Sequence, residues 1–131
     1  MGNPRRAEQD GVMPHLIVVI DDEREVLDLL CDVLRMEGLT ALGSDDPVRA
    51  LSLSERRKAS LFLIDVMLPG MSGIEVARKL REDGHATTPM IAMSASTSML
   101  EAARRTGFFQ ETLAKPFDLD DLVNSVQRYV A

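Results

Sequence analysis

Five polar side chains of this sequence directly follow short apolar runs, and together they could bind a divalent cation and a phosphoryl group. Carboxylate oxygens are the ligands that Mg²⁺ or Mn²⁺ prefers, and no Cys/His cluster is present to favour Zn²⁺ instead. A cation and an ammonium group can neutralise the charge on a phosphoryl group during transfer. The residues are Asp21 and Asp22 after LIVVI, Asp65 after LFLI, Ser94 after MIAM, and Lys115 after TLA.

Each of these residues also has an ordinary structural interpretation when it is taken alone. An acid pair before a helix commonly caps that helix, and a Ser or a Lys-Pro pair commonly belongs to a turn. Asp65 is harder to explain in this way, because a carboxyl group beside an apolar core has a raised pKa unless an opposing charge offsets its burial. If the fold gathers all five groups, Asp65 is the candidate carboxylate nucleophile.

The elements that must position these groups alternate between strand and helix along the whole chain. Short β-branched or apolar runs predict buried strands, and apolar residues at helical spacing, such as Val26, Leu30 and Val33, predict the helices between them. The predicted strands are residues 16–20, 39–42, 61–64, the MIAMSAS segment after Pro89, and residues 112–114.

Capping residues mark where each predicted helix begins and ends. A segment from 97 to 106 is also predicted to be helical, although its apolar face is thin. The predicted caps are Asp22 with Glu25 and a stop at Gly38, Asp46 with Pro47, Ser72 with Glu75 and a stop near Gly84, and Asp118 for the final helix.

Five strand-helix repeats without an internal linker predict a single α/β unit with a parallel sheet. Such a sheet is covered by helices on both faces and connected by right-handed crossovers. Ligands of these sheets bind at the carboxyl ends of the strands, where the strand order switches. We therefore expect the five polar residues to meet at one edge of the sheet.

Composition excludes several classes of protein. The chain has 131 residues, 45% of them hydrophobic, with a net charge of −6, which disfavours nucleic-acid binding because no basic stripe is present. No apolar run approaches the roughly 18 residues of a membrane helix, and residues 1–14 lack the apolar region of a secretory signal. Those residues are predicted to be a flexible leader. The single cysteine, Cys31, lies in a helical apolar stripe and is predicted to be a core residue, and the cytoplasm is the expected compartment.

The chain resembles the receiver domain of two-component response regulators over about residues 15 to 130. The segments that carry the resemblance are VVIDDE, LIDVMLPGMSG, IAMSAS and LAKPFDLDDL, which agree in both order and spacing. The resemblance implies a doubly wound (βα)5 three-layer sandwich with a five-stranded parallel sheet in the flavodoxin-like order 2-1-3-4-5. The receiver domain would occupy residues 15–131.

The resemblance also implies a phosphorelay function. Asp65 would accept a phosphoryl group from a histidine kinase or a histidine phosphotransfer protein. Mg²⁺, or Mn²⁺ in its place, would be ligated by Asp22 and Asp65, by Asp21 through a water molecule, and by the backbone carbonyl of Met67. Ser94 would hydrogen-bond a phosphoryl oxygen.

Lys115 would pair with the charge of the phosphoryl group, and its bond to Pro116 is expected to be cis. Similar receivers catalyse their own phosphotransfer and slow dephosphorylation but are not normally classed as enzymes. A stand-alone receiver, or a fragment of a larger regulator, would signal through a face built from the fourth helix, the fifth strand and the fifth helix. That face would meet a downstream protein or a second copy, so a monomer or weak homodimer is expected.

One position departs from the family pattern. Three residues before the Lys the family usually has Tyr or Phe, which swings inward during activation, whereas this chain has Thr112. Phe108 and Phe109 lie near enough in sequence to substitute, although core packing is their simpler role. The departure leaves an alternative function open, that of a pseudo-receiver that docks proteins without being phosphorylated.

Two other classes of protein fit the sequence less well. A phosphatase of the haloacid dehalogenase type would have a second Asp two residues after the nucleophile, where this chain has Met67. A nucleotide-binding protein would have a GxGxxG or GxxxxGK[ST] motif after a strand, and neither motif is present.

Overall fold

Five strands alternate with five helices in a computed structural model that describes residues 15–130. The predicted leader, residues 1–14, lies outside the described residues. The strands are β1 (Leu16–Ile20), β2 (Thr40–Ser44), β3 (Leu61–Asp65), β4 (Met90–Ser94) and β5 (Glu111–Ala114). The helices are α1 (Arg24–Met36), α2 (Pro47–Arg56), α3 (Gly73–Glu82), α4 (Thr97–Thr106) and α5 (Leu119–Val130).

All five strands are parallel and lie in the order β2-β1-β3-β4-β5. The three central strands β1, β3 and β4 are buried along their whole length, as expected for apolar strands covered on both faces. The predicted doubly wound fold and its strand order are confirmed. Strand β2 pairs with β1 over five residues and therefore extends to Ser44, two residues further than its apolar run predicts.

Helices cover both faces of the sheet and form separate apolar cores. On one face α1 and α5 pack through Leu30, Leu34, Leu122 and their neighbours, and Cys31 is buried in this core as predicted. On the other face α2 and α3 pack against β1, β3 and β4. Helix α4 has a thinner core, in which only Leu100 and Ala103 of the helix are buried.

The predicted helix caps are correct for α2 and α3. The side chain of Asp46 accepts a hydrogen bond from the Val48 N–H at 2.9 Å, and that of Ser72 accepts one from the Glu75 N–H at 3.2 Å. Helix α5 begins at Leu119, directly after the predicted cap Asp118. None of the helices within residues 15–130 combines the length and apolar character that a membrane crossing requires.

The predicted cap of α1 is wrong. Glu23, rather than Asp22, occupies the N-cap position, and its side chain makes no capping hydrogen bond. The side chain of Asp21 instead accepts from the Glu23 N–H at 2.9 Å. Asp22 is exposed at this turn, so its carboxylate is left available for another role.

Candidate metal and phosphoryl site

The register of the sheet brings the predicted site residues to one edge. Asp21 follows Ile20, whose partner on β3 is Ile64, so Asp21 and Asp65 end neighbouring strands. Ser94 ends β4 opposite Ala114, and the next residue, Lys115, donates its backbone N–H to the Ser94 carbonyl at 2.9 Å. The carboxyl ends of four strands therefore converge, as the fold prediction required.

Three carboxylates form a cluster of the size that holds a cation. Asp21, Asp22 and Asp65 each offer an oxygen atom, and these atoms lie within 4.8 Å of one another. Asp21 is fully buried and Asp65 is 5% exposed, whereas Asp22 faces solvent. Among residues 15–130 this is the one such group of acidic, His or Cys side chains. An all-oxygen donor set with one open side suits Mg²⁺ or Mn²⁺, which retain water ligands.

The ammonium group of Lys115 bridges the two buried acids. Its Nζ atom lies 2.7 Å from Asp21 Oδ2 and 2.8 Å from Asp65 Oδ2. Burial alone would lower the pKa of Lys115, but the hydrogen bonds and charges of the two carboxylates outweigh it and raise that pKa. The lysine is therefore held as a cation at the centre of the site.

Asp65 is oriented by both of its oxygen atoms. Oδ1 accepts from the Met67 N–H at 2.8 Å, and Oδ2 accepts from Lys115. Burial raises the pKa of Asp65, and the hydrogen bonds from Lys115 and Met67 offset this only in part. The Met67 side chain is exposed beside the site. The ligand role of its carbonyl stays a prediction.

Gly73 is a site residue that the sequence reasoning missed. A Cβ atom added at Gly73 would lie 2.2 Å from the Asp65 carbonyl oxygen and 2.7 Å from the Val66 Cα atom. The Gly73 N–H donates to the Val66 carbonyl at 2.8 Å, so the first turn of α3 rests directly on the end of β3. A glycine immediately after the cap Ser72 was the available signal, because glycine is unusual at the start of a helix unless backbone comes close.

The hydroxyl group of Ser94 is buried beside the start of α4. Its Oγ atom accepts from the Ser96 N–H at 3.0 Å, which leaves its own proton free to be donated. The Ser96 side chain in turn caps α4 by accepting from the Met99 N–H at 3.2 Å. The Lys115–Pro116 peptide bond is cis, as the resemblance implied.

The position of the usual aromatic is filled by a half-buried Thr112 on β5. Thr112 lines an open cavity of about 410 Å³ together with Phe117 and Asp121. Phe108 and Phe109 pack against the core beneath α3, and Phe109 also contacts the core beneath α4. Both phenylalanines thus have the packing role that was their simpler interpretation.

An apolar groove of about 420 Å³ adjoins the site on the side of α1. Lys115 also lines this groove, so the groove borders the acid cluster that Lys115 contacts. Leu29, at the surface of α1, is 49% exposed and forms part of its wall. The other apolar lining residues are Val26, Leu30, Ala95, Pro116, Phe117 and Leu119.

Comparison with known proteins agrees with this geometry. The family profile described as response regulator receiver domain matches residues 17–127. Sporulation initiation phosphotransferase F of Bacillus subtilis is 26% identical over 120 residues, which cover 91% of this chain and 96% of that protein. The DNA-binding response regulator MtrA of Mycobacterium tuberculosis is 33% identical over 115 residues, which cover 88% of this chain. The chain spans about half the length of MtrA, since the match covers 50% of that protein.

A solved structure shows the same fold with a metal ion. The receiver domain of a sensor histidine kinase from Pseudomonas aeruginosa, with a magnesium ion coordinated in its active site cleft, superposes with a TM-score of 0.81. Its sequence is 25% identical, and the match covers 89% of this chain and 98% of that one. Receiver domains are signalling domains, generally not enzymes, and bind Mg²⁺ at an acidic site. With the profile matching most of its length, this chain belongs to the response regulator receiver domain family.

Proposed function

We propose that this receiver domain accepts a phosphoryl group on Asp65 in a Mg²⁺-dependent reaction and signals through contacts with other proteins. The observation that carries the proposal is Lys115 bridging Asp21 and Asp65 inside a carboxylate cluster of cation size. The third acid, Asp22, is open to solvent, so a cation can reach the cluster from that side. The phosphoryl donor would be a histidine kinase or a histidine phosphotransfer protein.

The transfer itself exchanges one bond for another. A carboxylate oxygen of Asp65 attacks phosphorus, the bond from phosphorus to the donor imidazole nitrogen breaks, and the electron pair of that bond returns to the nitrogen. The Met67 N–H, on Asp65 Oδ1, fixes the rotation of the carboxylate during this attack. A bound Mg²⁺, held by Asp22 and Asp65, by Asp21 through water and by the Met67 carbonyl, would supply charge neutralisation for the phosphoryl oxygens.

Lys115 and Ser94 would bind the group that is transferred. The ammonium group already contacts Asp65 Oδ2, so a phosphoryl oxygen placed there would meet a cation that Asp21 keeps in position. The Ser94 hydroxyl has an unused proton to donate to a second oxygen. An autophosphatase activity, in which the phosphoryl group is slowly transferred from Asp65 to water, belongs to the same proposal.

The apolar groove beside Lys115 is the proposed docking surface for the donor. The donor's phosphohistidine must reach Asp65, so its protein surface must cover the area around the site. An amphipathic helix laid between α1 and the start of α5 would bury Leu29, Phe117 and Leu119 while reaching the acid cluster.

The output surface formed by α4, β5 and α5 stays a prediction. Thr112 belongs to the β5 part of that surface and lines an open cavity. A pseudo-receiver, which docks partners without phosphorylation, is the competing function because Thr112 replaces the aromatic that usually switches. The assignment of residues 15–131 as the signalling unit belongs to the proposal as well.

Labelling by acetyl phosphate tests the proposal directly. We expect the protein to gain the mass of one phosphoryl group when incubated with acetyl phosphate and Mg²⁺, and to gain none with EDTA. Asp65→Asn should abolish the gain, whereas Asp32→Asn, on the exposed face of α1, should not. Intact-protein mass spectrometry measures both. An unlabelled wild type in Mg²⁺ would favour the docking function, and a labelled Asp65→Asn variant would exclude Asp65 as the acceptor.

A further inference from the structure

The guanidinium group of Arg81 binds backbone carbonyls from two separate connections. Arg81 lies in the last turn of α3, at the end of the sheet away from the acid cluster. Its contacts join the α3–β4 connection to the α4–β5 connection. The acceptors are the carbonyls of His85 at 2.9 Å, Ala86 at 3.1 Å, Thr88 at 2.7 Å and Phe108, and the side-chain oxygen of Gln110 at 3.3 Å.

The charge of Arg81 is not used in an ion pair. Among residues 15–130 no carboxylate lies within salt-bridge distance of it, and burial lowers its pKa. Arg78, one turn earlier on the same helix, shows the contrast. Its side chain is 44% exposed and pairs with Glu75 and Glu82. Arg81 therefore serves to hold carbonyl groups, and each of these bonds involves a charged donor, which strengthens it.

The contacts of Arg81 fasten the end of α4. Helix α4 ends at Thr106 and is capped by Gly107, which has a φ of 74°, and the carbonyl of the next residue, Phe108, accepts a hydrogen bond from Arg81. The Phe108 N–H is bonded to the Thr106 hydroxyl at 3.1 Å. The Gln110 side chain, which also contacts Arg81, accepts from the Met90 N–H at 2.7 Å. The end of α4 is thus tied to both α3 and β4.

The start of α4 is held in a different way. Its cap Ser96 depends on the Ser94 hydroxyl, which accepts the Ser96 N–H. Between its two ends α4 buries only Leu100 and Ala103 fully, with Met99 partly buried beside them, so little apolar burial opposes a movement of the helix. The two ends of α4 are therefore held differently. The end is bound by the charged guanidinium group of Arg81, and the start depends on a hydrogen bond to the site residue Ser94.

We propose that Arg81 is a clamp that fixes the end of α4 and the segment from residue 107 to 110, so that α4 responds to the site only at its start. The second part of this proposal, that α4 responds to the site only at its start, rests on the proposed function. If the Ser94 hydroxyl moves toward a phosphoryl oxygen as it donates its proton, the hydrogen bond that it accepts from the Ser96 N–H would lengthen or break. The resulting structural change would affect α4 near Ser96 and would not extend to Gly107.

Amide hydrogen exchange of two matched variants tests the clamp without any phosphorylation. Arg81→Met keeps the side-chain stem and the helix propensity but removes every donor. We expect the amides of Phe108 and Gln110 to exchange about 10-fold faster or more in this variant, because both hydrogen bonds from Arg81 to the segment are lost together. Arg78→Met is the control and should leave these amides unchanged. Equal exchange in the two variants would overturn the clamp.

Arg81→Lys keeps the test available if the methionine variant does not fold. One ammonium group cannot span carbonyls that lie on both connections, so exchange at Phe108 and Gln110 should rise to an intermediate rate. Protection as strong as in the wild type would show that charge alone suffices, and would overturn the role assigned to the planar guanidinium group.

The second part is tested with Mg²⁺ and acetyl phosphate in samples whose phosphorylation is verified by intact mass. In the wild type, phosphorylation should change the exchange rates of the amides of residues 96–100 but not those of Phe108 and Gln110. In Arg81→Met the amides of Phe108 and Gln110 should change as well. Equal changes at the two ends of α4 in the wild type would contradict the proposal. A sample that gains no phosphoryl group counts against the proposed function, while the unphosphorylated comparison still decides the clamp.

Discussion

The Nζ atom of Lys115 lies 2.7 Å from Asp21 Oδ2, although 94 residues separate the two in the sequence. The same Nζ atom contacts Asp65 at 2.8 Å. A lysine in this position acts as an internal counter-ion where a divalent cation would also bind. The two cations therefore compete electrostatically for one set of carboxylates.

Replacing this lysine should tighten magnesium binding. In Lys115→Met a unit positive charge is removed beside two of the three carboxylates, and we expect the Kd for Mg²⁺ to fall about 10-fold, which corresponds to about 1.4 kcal/mol. Isothermal titration with MgCl2 measures the change. Lys58→Met is the matched control, since Lys58 is exposed near the end of α2. An unchanged or weaker affinity in Lys115→Met would contradict the assignment of this cluster as the cation site.

The pH dependence of stability should report the buried Asp65. Burial raises the pKa of Asp65 above its value in the unfolded chain, so the native state holds this proton more readily. The resulting stabilisation is present below the unfolded pKa and is lost as the pH rises through the native pKa. In EDTA we therefore expect Asp65→Asn to gain stability relative to the wild type as the pH increases from about 4 to about 7.

Urea unfolding of both proteins across this pH range measures the difference in free energy of unfolding. Asp32→Asn, whose side chain is 71% exposed in the wild type, controls for the loss of one acidic group. A stability difference between Asp65→Asn and the wild type that shrinks or changes sign with rising pH would show that Lys115 stabilises the Asp65 carboxylate more than burial disfavours it.

A methyl group at position 73 should disturb the phosphoacceptor. The added Cβ of Gly73→Ala would meet the Asp65 carbonyl at 2.2 Å, so α3 and the end of β3 must move apart. We expect the free energy of unfolding to fall by about 2 kcal/mol and labelling by acetyl phosphate to slow. Urea unfolding and intact-mass time courses measure the two effects.

Gly84→Ala separates this contact from a general glycine effect. Gly84 has a φ of 101°, and nothing lies within 4 Å of an added Cβ, so its substitution costs about 1–2 kcal/mol through backbone strain alone. Its labelling rate should match that of the wild type. Equal labelling rates in Gly73→Ala and Gly84→Ala would mean that the contact of Gly73 with Asp65 does not influence the chemistry.

The groove beside Lys115 should determine how well a protein donor works. Leu29→Asp places a charge on the apolar wall of the groove. We expect this substitution to reduce the rate of transfer from a phosphorylated histidine kinase at least about 10-fold more than it reduces the rate of labelling by acetyl phosphate. Met36→Asp is the control, because Met36 is 77% exposed on the same helix and does not line the groove. The kinase that phosphorylates the wild type fastest in a purified panel supplies the probe. Equal slowing by the two substitutions would place the donor elsewhere.

Local patterns were sufficient to predict a parallel α/β fold and the strand-end residues that meet at its edge, whereas the strand order 2-1-3-4-5 came from the family resemblance. Apolar runs and caps such as Asp46 and Ser72 are set by neighbouring residues, and alternation of strand and helix leaves few possible topologies. The placement of Asp21, Asp65 and Lys115 at one edge follows from the parallel direction of the strands, and their contact depends also on the strand order. Their roles in phosphoryl transfer stay predictions.

Contacts that depend on distant backbone could not be read from the sequence. Arg81 binds the Phe108 carbonyl 27 residues away, and a carbonyl acceptor has no residue type to signal it. Gly73 is required by the path of β3 rather than by its own helix. The incorrect prediction of Asp22 as the cap has a related cause. Asp21, which a distant residue, Lys115, contacts through Oδ2, accepts the Glu23 N–H through Oδ1 and so fixes the turn that precedes α1.

The packing of Cys31 against Gly43 has a practical consequence. A Cβ atom at Gly43 would lie 3.0 Å from the Cys31 sulfur, which shows how closely β2 packs against the thiol, and burial raises the pKa of that thiol. Little reactive thiolate is therefore present at neutral pH. Since the chain has no other cysteine, a fluorophore or spin label could be attached to a cysteine introduced on α4 without first removing the natural one.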